Sequence, residues 1–220
     1  MELIERLLGI DVSALSDADK ALPVVDPAVR AMVPDVRMAG PAFTVVAEDD
    51  HLAVMGALAE AAPGDVLVIA ANGGSHAVFG ELFATEAQRR GLAGIVTDGL
   101  CRDVRGLRAL GLPAFARGTT PRSGATVSRA APGATFACGG VKVSPGDLVF
   151  GDDDGLLIAP PERIASALDT AELIARSERA ILAAQARGEA LHDLTNHADH
   201  VAALDRGETS ALAFRVDLDA

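Results

Sequence analysis

Arg102 and Asp103 stand side by side in the run Gly91-Leu-Ala-Gly-Ile-Val-Thr-Asp-Gly-Leu-Cys-Arg-Asp103, just past an apolar stretch that ends at Asp98-Gly99. Glu81, in Phe79-Gly80-Glu81-Leu82, precedes Arg102 by twenty intervening residues. A carboxylate is a hard oxygen ligand. Mg2+ and Mn2+ prefer such oxygens, and Mg2+ keeps several waters, so one well-placed Asp suffices for a site. The planar fork of an arginine clamps a carboxylate through two parallel hydrogen bonds. Each residue also has a plainer reading. Asp103 begins a helical stretch and could be its N-cap. Arg102 could form a surface salt bridge. Glu81 could orient a metal-bound water or complement a helix dipole from the first turn.

Gly73-Gly74 and Gly80-Glu81 flank a loop that runs into a helix N-terminus. Free backbone amides there favour an anionic oxygen, and Gly80 admits a close approach to the backbone. His76 in that loop is a candidate acid, base or hydrogen-bond donor, or else a polar loop residue. Cys101 has no neighbouring base in the sequence and reads as a small buried filler. His192, His197 and His200 lack the intervening Glu of a zincin helix and read as a solvated face. Asp152-Asp-Asp-Gly155 lacks the alternating ligands and late Glu of a calcium loop and reads as a hairpin turn. The chain contains no Gly-x-Gly-x-x-Gly, P-loop or Gly-x-Ser-x-Gly, which argues against nucleotide-dependent enzymes and serine hydrolases.

The elements that must position these residues read as an α/β fold. Residues 1–22 look helical, with a break near Ser16-Asp-Ala-Asp19, and residues 23–34, with three prolines, look irregular. A turn at Gly40-Pro41 leads to a strand at residues 42–47, and residues 51–62 read as a helix. Val66-Leu-Val-Ile-Ala70 and Ala93-Gly-Ile-Val-Thr97 are continuous apolar runs, the kind buried on both faces of a parallel sheet. Helices at 80–90 and 104–110 alternate with these strands and with one at 112–116, and Gly91 suits a helix C-cap. Such alternation predicts right-handed crossovers and a ligand site beyond the carboxyl ends of the strands. Three short strands follow between residues 141 and 159, then a long amphipathic helix at 160–188. Residues 1–188 read as a single domain. Residues 189–220 read as a peripheral tail with a helix near 199–204 and an extended end at 212–218.

The 220 residues suffice for a substantial core, and half are hydrophobic. The aromatics are seven Phe, so the core is aliphatic and there is little to stack on nucleic-acid bases. A net charge of −12 opposes binding to phosphate backbones and anionic lipid surfaces, although a local arginine can still hold a small anion. Two cysteines are too few for a disulfide framework. The acidic N-terminus is unlike a signal peptide, and no apolar run reaches membrane-spanning length. A cytoplasmic protein with no nucleic-acid or membrane partner is expected.

Together these segments resemble the RraA-like family, which includes the metal-dependent 4-hydroxy-4-methyl-2-oxoglutarate/4-carboxy-4-hydroxy-2-oxoadipate aldolases. The resemblance covers roughly residues 15–185. It rests on Met38-Ala-Gly-Pro-Ala-Phe-Thr-Val45, Pro63-Gly-Asp-Val-Leu-Val-Ile69, Gly80-Glu-Leu-Phe-Ala84 and the run ending in Arg102-Asp103. Leu112-Pro-Ala-Phe-Ala-Arg-Gly118 and Pro145-Gly-Asp-Leu-Val-Phe-Gly-Asp152 complete it. An acid, twenty spacers and Arg-Asp mark the aldolase-competent members, here Glu81, Arg102 and Asp103. The resemblance implies an α/β/α sandwich-like core with parallel strands, a β-rich section and a long C-terminal helix. It implies that Asp103 ligates Mg2+ or Mn2+ and that Arg102 holds a pyruvate-like moiety with the backbone at Gly80, Glu81, Leu82 and Phe83. Cleavage of C3–C4 would leave a pyruvate enolate, and loss of CO2 from oxaloacetate would leave the same species. A water bound to the metal or held by Glu81 would move the C4-hydroxyl proton. An acid from the late helix of a neighbouring subunit would complete the site, with Glu178 the best positional match and Glu172 the fallback. Trimeric rings, sometimes stacked as hexamers, are implied too. The family's namesakes instead bind and inhibit the endonuclease RNase E, which is the alternative function. A methyltransferase label also occurs in the family, but nothing here resembles a glycine-rich adenosylmethionine loop.

Overall fold

A computed structural model describes residues 2–215; the end of the expected extended segment at 212–218 lies outside them. The chain opens with two short helices, α1 (Glu2–Leu8) and α2 (Val12–Ala18), and a two-residue strand, β1 (Arg30–Ala31). Strand β2 (Met38–Val46), helix α3 (Leu52–Glu60) and strand β3 (Val66–Ala70) follow. Next come β4 (Ala77–Phe79), α4 (Glu81–Arg89), β5 (Gly94–Thr97), β6 (Leu100–Cys101), α5 (Val104–Leu110), β7 (Ala114–Ala116) and β8 (Gly118–Thr119). A hairpin of β9 (Phe136–Cys138) and β10 (Val141–Val143) precedes a second hairpin, β11 (Leu148–Asp152) and β12 (Gly155–Ala159). The long helix α6 (Pro161–Ala186) and the tail helix α7 (His197–Asp205) end the order. The expected α/β architecture and long C-terminal helix are both present.

The main sheet has seven strands in the order β1-β7-β5-β3-β2-β11-β12, with β2, β3, β5 and β7 parallel. Side chains alternate across it with the two-residue period of a strand. Leu67 and Ile69 join the cluster formed with α3, α4 and α5, while Val66 and Val68 join the cluster under the β9–β10 hairpin. Leu148, Phe150 and Leu157 pack with α1, α2 and α6.

Two sequence expectations need correction. Gly40-Pro41 is not a turn before a strand, because β2 already starts at Met38. Residues 38–41 pair antiparallel with β11, and residues 42–46 pair parallel with β3, so Pro41, which has no N–H, stands where the strand changes partner. Gly40 is required there because a Cβ would strike the Gly64 carbonyl and lie 3.2 Å from Val66 Cγ2. The second correction concerns Asp98-Gly99, which does not lead straight to Arg102. A separate three-stranded parallel sheet, β4-β6-β8, stands between the main sheet and the residues of interest.

Asp50 fixes one wall of the region beyond these strands. It is buried, and its carboxylate accepts from the amides of Val127 (2.7 Å), Ser128 (2.9 Å) and Leu52 (2.9 Å). It thereby ties the start of α3 to the loop at residues 120–130. Burial pushes its carboxyl upward, but the amides of Val127, Ser128 and Leu52, helped by nearby His51, outweigh this and leave it below the ordinary carboxylate range. A folded-state value below the unfolded one gives stability that is present above the unfolded value and lost as pH falls through the folded one. Asp50→Ala strands three amides and should cost about 3 kcal/mol or more by equilibrium denaturation. Asp50→Asn should show a shallower loss of stability on acidification below about pH 4 than the wild type. A cost below about 1 kcal/mol for the alanine variant would contradict this account.

Candidate active site

Strands β4 and β6 run parallel, with Phe79 opposite Cys101, and each leads directly into a helix. The Arg102 amide donates to the Phe79 carbonyl at 3.1 Å, so the two strand ends stay paired beyond a register shift between Ala77 and Phe79. Gly80 is the N-cap of α4 and Asp103 the N-cap of α5, which brings Gly80, Glu81, Arg102 and Asp103 together. A Cβ on Gly80 would lie 2.5 Å from Asp103 Oδ2 and 2.8 Å from Arg102 Cγ. Glycine is therefore the residue that permits this approach.

Asp103 occupies the N-cap position of α5 without capping that helix. Its backbone is left-handed (φ 57°, ψ 38°), and its side chain makes no capping hydrogen bond to α5. Asp tolerates that conformation better than most residues. The carboxylate instead faces Arg102 Nε at 3.3 Å and the Glu81 amide at 3.4 Å. Both side chains of the pair are about two-fifths exposed, at 37% for Arg102 and 42% for Asp103, so they remain open to a ligand. The Leu82 and Phe83 amides lie in the first turn of α4, where no intrahelical acceptor exists.

These groups border a cleft of about 170 Å3. Gly80, Leu82, Phe83, Arg102 and Asp103 all line it. Glu81 does not. Its carboxylate packs against Gly106 of α5, in an adjoining groove that Asp103 also borders. Gly106 makes room for it, since a Cβ there would strike the Glu81 carboxyl. Glu178 lies on α6, outside both of these spaces in the single chain. Glu172 is engaged elsewhere. Arg6 Nε donates to it at 2.8 Å, and that hydrogen bond, offset in part by desolvation, holds its carboxyl below the usual range.

His76 lies in the loop ahead of β4 rather than among the residues lining the cleft. Its ring nitrogen Nδ1 is 3.2 Å from Asp49 Oδ1, and its amide donates to the same oxygen at 2.7 Å. The cleft instead holds two side chains that sequence reasoning missed, His51 at the start of α3 and Ser123 in the 120–130 loop. A His following the Asp-Asp before an alanine-rich helix was the available signal, but nothing in the sequence shows which histidine lines the cleft. Cys101 is fully buried, and burial together with the nearby Asp103 charge pushes its thiol up to about 11, which fits an inert filler. Asp152 in the acidic hairpin accepts from the first amide of α2, Val12, at 2.9 Å, so it serves as a remote cap. No group of three or more His, Cys, Asp or Glu side chains suited to a metal occurs among the described residues. Asp103 would hold a metal there with waters completing its shell, a donor set that suits Mg2+.

No helix among the described residues is long and apolar enough to cross a membrane. A sequence model of the RraA-like (Aldolase/RraA) family matches residues 12–158. A protein from Halalkalibacterium halodurans, named "Putative 4-hydroxy-4-methyl-2-oxoglutarate aldolase", is 36% identical over 174 residues, 78% of this chain and 83% of that protein. An uncharacterized protein from Pseudomonas syringae superimposes with a TM-score of 0.76 at 25% identity, covering 87% of this chain and 96% of that one. Streptomyces coelicolor RraAS2, described as an unusual member of the RNase ES inhibitor RraA protein family, superimposes with a TM-score of 0.70 at 31% identity, covering 81% of this chain and 94% of that one. The matched segment contains the paired strand ends and the whole Gly80, Glu81, Arg102 and Asp103 arrangement, and on these grounds the chain belongs to the RraA-like family.

Proposed function

We propose that the chain is a divalent-metal-dependent aldolase. It cleaves 4-hydroxy-2-keto acids such as 4-hydroxy-4-methyl-2-oxoglutarate to pyruvate and a second keto acid, and it decarboxylates oxaloacetate. The observation that carries this reading is Asp103, a carboxylate at the N-cap position of α5 that does not cap α5 and borders a cleft beside an arginine. The name of the Halalkalibacterium relative supports the reaction class.

Arg102 clamps the C1 carboxylate of the substrate, and the Leu82 and Phe83 amides add donors at the positive end of α4. Gly80 leaves the backbone bare where the keto acid lies against it. Asp103 supplies the protein ligand for Mg2+ or Mn2+. A divalent cation held at Asp103 would supply Lewis-acid stabilisation of the negative charge that develops on the substrate as C3–C4 breaks. Glu81 is assigned the proton transfer from the C4 hydroxyl, acting through water, because its own carboxylate sits against Gly106. Glu178 of a neighbouring copy in a trimer or hexamer is assigned the closing acid. A second reading, inhibition of an RNase E-type enzyme, is favoured by the similarity to Streptomyces RraAS2. The enzyme reading is preferred because a pure binder has no evident need of Glu81, Arg102 and Asp103 together.

Purified protein with Mg2+ and oxaloacetate should release pyruvate, and a chelator should abolish the release. Metal-independent turnover, or none with oxaloacetate and 4-hydroxy-4-methyl-2-oxoglutarate, would sink the aldolase reading. An inert protein that slows an RNase E-type nuclease would put the inhibitor reading first. Asp103→Asn should lose Mg2+ binding and activity together, by more than the roughly 100-fold that an outer-shell change costs at a metal site. Arg102→Ala should lose roughly 10- to 100-fold in kcat/KM, with weaker pyruvate inhibition. An Asp103→Asn protein as active as the wild type would remove the assigned ligand.

A further inference from the structure

The polar side chains lining the Asp103 cleft are Arg102, Asp103, His51 and Ser123, and the other lining side chains, among them Met55, Phe79 and Leu82, are apolar. Arg102 and Asp103 face each other. Ser123 Oγ donates to the Gly124 carbonyl at 3.4 Å. His51 is different. It sits at the N-cap of α3 but makes no side-chain cap, and its backbone N–H donates to the Ala125 carbonyl. Its ring lies 5.6 Å from the Phe83 ring at 60°, a tilted aromatic contact that supports the imidazole from one side. Neither ring nitrogen has a hydrogen-bond or ion-pair partner among the described residues. The adjacent Asp50 does not compete for the ring, because its carboxylate is committed to the Val127, Ser128 and Leu52 amides. His76, by contrast, is already bonded to Asp49.

A neutral imidazole always carries one N–H, so this ring is a donor whatever its charge. A donor held in place beside an apolar wall, in a cleft with a separate arginine for one carboxylate, suits a second acceptor on the same ligand. We propose that His51 donates a hydrogen bond to a carboxylate attached to C4 of a 2-keto acid held at Arg102 and Asp103. The site thereby selects dicarboxylic 2-keto acids over monocarboxylic acids of equal chain length. This rests on the 2-keto acid reading given above and adds the residue that reads the far end of the substrate.

Binding calorimetry with Mg2+ present tests it without requiring turnover, using pyruvate, 2-oxoglutarate and 2-oxopentanoate. The last carries a methyl group where 2-oxoglutarate carries its distal carboxylate. The wild type should bind 2-oxoglutarate more tightly than 2-oxopentanoate. His51→Ala should weaken 2-oxoglutarate by about tenfold or more, the worth of a hydrogen bond to a charged group, and leave the other two within about twofold. His51→Asn, which keeps a donor, should recover part of the loss. No wild-type preference, no loss in His51→Ala, or an equal loss for all three ligands would overturn the proposal. A preference that depends on His51 in a protein that cleaves no 4-hydroxy-2-keto acid would sink the aldolase reading and leave the His51 assignment standing. Binding of none of the three would sink both.

Discussion

The approach of Gly80 to Arg102 and Asp103 is the constraint on which the rest of the site depends. A Cβ at position 80 would meet the Asp103 carboxylate at 2.5 Å and Arg102 Cγ at 2.8 Å, so any side chain there would displace the pair. That closeness places the amide-rich start of α4 beside the Arg102–Asp103 pair. It also requires β4 and β6 to finish paired, past the register shift between Ala77 and Phe79, and the hydrogen bond from the Arg102 amide to the Phe79 carbonyl holds them so. On the α5 side, the Glu81 carboxyl lies in the space that a Cβ on Gly106 would take.

Asp103 shows how one local conformation sets what a residue can do. In an ordinary cap the carboxylate would turn back onto the amides of its own helix and be consumed there. The left-handed backbone at Asp103 leaves the carboxylate uncapped and directed toward Arg102 and the start of α4. The overall charge of −12 works against anion binding at long range. Over the few ångströms of the cleft, a guanidinium and helix-terminal amides act more strongly than distant charges, since screening limits distant charges far more than adjacent ones.

Much of this was legible in the sequence where the physical signal is dense. The run at residues 66–70 is buried at every position, as expected of a strand in the middle of a parallel sheet. Helix α5 spans Val104–Leu110 as its pattern indicates. Strands β4 and β6 were not legible, because segments of three and two residues carry no periodicity and exist only through each other and β8. Gly40-Pro41 misled because both residues punctuate most chains, whereas here they mark a change of strand partner. Among the site residues, the proximity of Gly80, Arg102 and Asp103 followed from their places at strand ends. The outward turn of Glu81 and the exchange of His76 for His51 did not, since side-chain direction is decided by contacts made across the fold.

The central claim is that this cleft stabilises a pyruvate enolate, and exchange of the pyruvate methyl protons for deuterium, followed by NMR, tests it most directly. With Mg2+ in D2O, the protein should wash out the methyl signal, and Asp103→Asn or a chelator should stop the exchange. Pyruvate that binds but keeps its methyl protons, or exchange that proceeds as well without metal or without the Asp103 carboxylate, would contradict the account.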